Sequence, residues 1–99
     1  MRKKAAPQFL AKRLKENRMK IDLIDQNLFG LLNQRLRIAL EIGNVKKEMG
    51  IKIYDPGREK EVLERLRLRL RSRKKQPLKE RDLKKIFATI IRVCRRSQR

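Results

Sequence analysis

Residues 21–49 read IDLIDQNLFGLLNQRLRIALEIGNVKKEM. Apolar side chains recur at Ile21, Ile24, Leu28, Leu31, Ile38, Ile42, Val45 and Met49, an alternating spacing of three and four that lines them along one stripe of a helix. The one break in the stripe is Arg35. Carried back to about Leu10, the pattern predicts a helix of roughly 60 Å at a rise of 1.5 Å per residue. That is too long to pack on itself in a chain of 99 residues, and so short a chain buries only a thin core alone. A second copy packed antiparallel on the stripe is the expected solution.

Two hinges divide the rest. Gly50 suits the C′ position that ends the long helix, and residues 51–54 are too few for more than an extended connector. Asp55 followed by Pro56 reads as N-cap and N1 of a second helix: the carboxylate accepts from free backbone N–H groups, and proline has none to lose. This helix, about residues 56–71, carries Val62, Leu63, Leu66 and Leu70. Pro77 and the surrounding lysines mark a basic linker over about residues 72–77. A third helix, about residues 78–97, presents Leu83, Ile86, Phe87, Ile90, Ile91 and Cys94 on one side. No strand pattern, internal repeat or low-complexity segment competes. The expectation is a single all-α domain over residues 1–99, with long, short and medium helices in that order.

Thirty Lys and Arg against 11 Asp and Glu give a formal charge of +19, which points to anionic partners. Without histidine the chain lacks the commonest general base and metal ligand. Its single cysteine, Cys94, rules out an intrachain disulfide or a CxxC zinc site and suits a reducing cytoplasm. Lys12, Arg13 and Lys15 interrupt any apolar run near the N-terminus, so no secretory signal is expected. Nor is a membrane partner, since no apolar run reaches spanning length. The segment RLRLRLRSRKK at residues 65–75 admits nucleic acid. Four aromatics in the whole chain leave little for base stacking, however, and no helix-turn-helix or zinc signature appears. Such binding would be a nonspecific result of charge.

Polar residues on the apolar faces carry the chemistry. Arginine facing a core is costly unless it meets an anion, and Lys46 lies 11 residues beyond Arg35, about three turns and nearly the same face. Together they can grip one small anion. Arg18 also interrupts the stripe but sits 17 residues before Arg35, about 25 Å along a continuous helix, so it would serve a site on an antiparallel partner. Gln98, one turn past Cys94, puts an amide where the third helix's pattern wants an apolar group. Asp55, Arg58 and Glu59 gather at the start of the second helix, with Glu59 on the face of Asp55. Each has an ordinary alternative: a cap for Asp55, first-turn charges for Arg58 and Glu59, snorkelling for the arginines, a solvated pair for Lys46 and Lys47, a frayed end for Gln98. Such readings, or a plain coiled coil, leave the coincidence of polar breaks on three apolar faces unexplained.

From about residue 18 to residue 98 these positions resemble the all-helical chorismate mutase family. Arg18, Arg35, Gly43 and Lys46 match its long first helix, DPGRE supplies its aspartate and Arg-Glu pair as Asp55, Arg58 and Glu59, and Cys94 and Gln98 match the end of its third helix. The resemblance implies an intertwined, domain-swapped antiparallel helical homodimer that converts chorismate to prephenate, for phenylalanine and tyrosine biosynthesis, without a cofactor. It implies that Arg18 of the neighbouring chain and Arg35 hold the two carboxylates, aided by Arg58 and Cys94. Lys46 and Gln98 would donate to the ether oxygen, and Glu59 with the Asp55 region would hold the ring hydroxyl. Lys46, Gln98, Arg35 and Glu59 are then the catalytic set. Cys94 departs from the family's usual serine or other small residue, which weakens its hydrogen bond, and the linker is longer and more basic than the family requires. Isochorismate pyruvate-lyase activity on the same fold is the nearest alternative, which DPGRE with Gln98 disfavours.

Overall fold

The computed structural model describes residues 6–73 and 75–99; residues 1–5, the start of the basic N-terminal stretch, and Lys74 of the basic linker lie outside the described residues. Three helices follow one another: α1 (Pro7–Met49), α2 (Pro56–Ser72) and α3 (Glu80–Ser97). Among the described residues there is no strand and no helix long and apolar enough to cross a membrane. The chain divides into two compact units, Met1–Gln34 and Arg35–Arg99, with the boundary inside α1.

α1 begins at Pro7, one turn before the apolar pattern does, because proline in a first turn forfeits no hydrogen bond. The Phe9 and Leu10 amides donate to the Ala6 carbonyl at 3.0 and 3.1 Å. Its C-terminus is a Schellman motif. Gly50 adopts φ +69°, and the Gly50 and Ile51 amides donate to the Lys47 and Lys46 carbonyls at 3.1 and 3.0 Å, which satisfies carbonyls that the helix leaves free. Asp55 caps α2 as its sequence suggests: its Oδ1 accepts from the Arg58 amide at 3.0 Å. At the other end of α2 the Gln76 side-chain amide donates to the Leu70 and Arg73 carbonyls at 2.8 and 3.3 Å. α3 starts without a side-chain cap, but Glu80 and Asp82 sit in its first turn, where negative charge is favoured. Glu80 also pairs with Arg67 and Arg71 at 3.6 and 3.8 Å, tying α2 to the start of α3.

In the C-terminal unit the buried residues are Ala39 and Gly43 from α1 and Leu83, Ile91 and Cys94 from α3. α1 turns its small residues inward, and a Cβ built on Gly43 would lie 2.9 Å from both Cα and Cβ of Gln98. The end of the chain therefore seats on α1 only because residue 43 has no side chain. The heptad stripe is not this inner face. Ile38, Ile42, Val45 and Met49 in the C-terminal unit remain exposed, and so do Ile21, Ile24, Leu28 and Leu31 in the N-terminal unit.

Candidate active site

Arg35, Ala39, Gly43 and Lys46 follow one another at spacings of four, four and three, which sets them on one helical face. This face borders an open cavity of about 340 Å³ inside the C-terminal unit. α1 supplies Arg35, Ile38, Ala39, Ile42 and Lys46; the connector supplies Ile53 and Asp55; α2 supplies Arg58 and Glu59; the C-terminal segment supplies Ile91, Cys94, Arg95 and Gln98. Seven of the eight residues singled out from sequence thus line one cavity: Arg35, Lys46, Asp55, Arg58, Glu59, Cys94 and Gln98. The eighth, Arg18, is exposed on α1 in the N-terminal unit and is not among the lining residues.

Backbone design holds Lys46 in place. The Schellman turn curls the connector back, so that Lys46 Nζ donates to the Ile53 carbonyl at 2.6 Å and to Gln98 Oε1 at 3.2 Å. The Gln98 carbonyl is thereby occupied, and its NH₂ is the group left to donate. Half-buried Arg35 has no ion pair among the described residues. On the α2 side, Arg58 reaches Glu61 at 3.2 Å across an exposed pair, and Asp55 keeps its capping bond. Glu59 has both carboxylate oxygens within 3.0 Å of Arg95 Nη1. Cys94 is 5% exposed, one side of its residue forming cavity wall.

Arg95 is the charged lining residue that sequence reasoning missed. A signal was present: Arg95 stands four after Ile91 and three before Gln98, hence on their face. It was hidden in an Arg95-Arg96 pair within a chain where 30 of 99 residues are Lys or Arg.

The walls are largely isoleucine, two of the four cations stand on α1 and one each on α2 and α3, and the two acids stand together at the head of α2. Such a lining is chemically suited to a small anion with apolar surface and one or more hydroxyls. It offers no histidine and, among the described residues, no cluster of metal ligands.

The chorismate mutase type II family matches residues 17–99, and the chain belongs to that family. It is 38% identical over 58 residues to a chorismate mutase of Methanocaldococcus jannaschii, covering 59% of each chain. It is 42% identical over 53 residues, 54% of its own length, to a bifunctional chorismate mutase/prephenate dehydratase of Aquifex aeolicus. The chain spans 59% and 15% of the lengths of these two curated relatives. Among solved structures, it is similar to the chorismate mutase from Helicobacter pylori in complex with prephenate, with a TM-score of 0.76, 34% identity and coverage of 88% of this chain and 90% of that one.

Proposed function

We propose that the chain is a chorismate mutase, catalysing the Claisen rearrangement of chorismate to prephenate. The observation that carries this reading is the gathering of Arg35, Lys46, Asp55, Arg58, Glu59, Cys94 and Gln98 around one cavity in a chain of that family. In this reaction the ether C–O bond breaks while a C–C bond forms within the same molecule, so no nucleophile, cofactor or proton shuttle is needed. What it needs is a substrate folded into its reactive conformer and positive charge at the oxygen where negative charge develops.

Arg35 holds one carboxylate, with Arg58 and Cys94 assisting. Lys46, fixed by the Ile53 carbonyl and Gln98, directs its ammonium to the ether oxygen, and the Gln98 NH₂ is the second donor there. Glu59 accepts from the ring hydroxyl near Asp55. The second carboxylate is met by Arg18 of a second copy, in an antiparallel domain-swapped dimer. The exposed apolar stripe supports this assembly: Ile38 is 59% exposed in one unit and Leu31 59% exposed in the other.

The test is loss of chorismate absorbance together with assay of the product. Wild-type protein should form prephenate, with neither pyruvate nor salicylate appearing from isochorismate. Lys46→Ala should lower kcat by a factor on the order of 100 or more, comparable to removal of an oxyanion donor, because its charge acts more strongly on the transition state than on the ground state. Near-normal turnover of that variant would refute the role, and no prephenate from the wild type would refute the function.

A further inference from the structure

Arg95 lies outside the positions through which the chain resembles its family, yet it makes the most complete ion pair in the cavity. Its Nη1 lies 3.0 Å from each Glu59 oxygen, and the side chains of Arg95 and Glu59 are 26% and 25% exposed. Its guanidinium carbon stands 4.6 Å from the centroid of the Tyr54 ring, within cation–π range. One side chain on α3 therefore joins the connector, through Tyr54, to the first turn of α2, through Glu59.

Two consequences follow from this geometry. Each carboxylate oxygen has two acceptor positions, so Glu59 can hold Arg95 and still accept from a hydroxyl in the cavity. Charge is the second. The lining cations are Arg35, Lys46, Arg58 and Arg95 and the lining acids are Asp55 and Glu59, and among these cations Arg95 is the one paired with Glu59 itself; without it that carboxylate loses its counter-charge. Glu59 would then stand as an uncompensated carboxylate close to a dianion, in a partly buried place where like charges repel more strongly than in water. Arg95 cancels that repulsion and leaves the acceptor in service.

We infer that Arg95 is a positioning residue that acts through Glu59: backed by Tyr54, it aligns and neutralises the carboxylate that receives the substrate's hydroxyl. The inference rests on the mutase reading. The hydroxyl is not a reacting centre, so its contact is similar in the ground and transition states and should appear mainly in KM.

The experiment is a double-mutant cycle in steady-state chorismate kinetics, with thermal unfolding measured on every variant. Arg95→Met, which keeps the apolar stem, should raise KM about tenfold and lower kcat less than about threefold. Arg95→Lys, which keeps the cation, should recover most of the loss. In a Glu59→Gln background, Arg95→Met should change kcat/KM by less than about twofold, because the partner through which it acts is gone. An unchanged KM for Arg95→Met in active protein would overturn the inference, and so would an undiminished effect in the Glu59→Gln background. A merely structural pair would lower Tm and leave KM in place. If Arg95→Met does not fold, the same cycle with Arg95→Lys decides, since its smaller KM rise must also vanish with Glu59→Gln. Wild-type protein that leaves chorismate unchanged would overturn the mutase reading itself; an active wild type with an indifferent Arg95 overturns only this inference.

Discussion

Gly43 shows how much a single hydrogen atom in place of a methyl can govern. An added Cβ would lie 2.9 Å from the Cα of Gln98, and backbone cannot yield as a flexible side chain can. Gly43→Ala should therefore push Gln98 outward and loosen the hydrogen bond that its Oε1 accepts from Lys46. Overpacking costs about 1–3 kcal/mol, while exchanging glycine for alanine inside a helix returns about 1 kcal/mol. The two effects largely oppose each other, so Tm should fall by only a few degrees while kcat falls at least about tenfold, readable from a melting curve and chorismate turnover on one sample. The site residues that were legible came from local pattern: Arg35 breaks a stripe, Gln98 follows Cys94 by one turn, and Asp55, Arg58 and Glu59 cluster at a helix start that Pro56 marks. Arg95 shares the face of Ile91 and Gln98 but is masked by its neighbour Arg96, and its partner Glu59 is 36 residues away, a pairing that only tertiary structure reveals.

The helices themselves were legible through their ends. Asp55-Pro56 announces the start of α2 by capping chemistry that is local in sequence, and Gly50 announces the stop of α1 by the conformation it permits. The starts of α1 and α3 have weaker local signals: Pro7 tolerates helix without demanding it, and Lys79 caps nothing. The Gly50 signal can be weighed. No atom lies within 4 Å of a Cβ built there, so Gly50→Ala meets no clash and carries only the penalty of φ +69°, about 1–2 kcal/mol for an L-residue in the left-handed region. Chemical denaturation should show a loss of that size, with Gly50→Asn losing less because asparagine tolerates this conformation. The turn also brings the Ile53 carbonyl to Lys46. Activity near physiological temperature should accordingly decline more in Gly50→Ala than the folded fraction does.

At the scale of the molecule, two features oppose each other. The apolar stripe of α1, exposed from Ile21 to Met49, favours association by burial of apolar surface, whereas two chains bring together a formal charge of 2 × 19 = +38, which disfavours it. Salt screens the repulsion and leaves burial intact, so the dimer proposed above should tighten as ionic strength rises from about 10 mM to about 150 mM, as sedimentation would show. Assembly alone does not say that a site is shared. A mixing experiment does: in the swapped arrangement each site takes Arg35 from one chain and Arg18 from the other. Arg18→Ala and Arg35→Ala homodimers should each be nearly inactive. A mixed dimer, however, contains one site with both arginines intact and one with neither. Random re-pairing of equal amounts makes half of the dimers mixed and restores about a quarter of the sites. Unfolding and refolding the two variants together should therefore raise chorismate turnover to about a quarter of the wild-type value, while each variant refolded alone stays inactive. If the mixture shows no more than the average of its parts, Arg18 acts within its own chain or not at all, and the shared-site assembly is wrong even if the protein is a dimer.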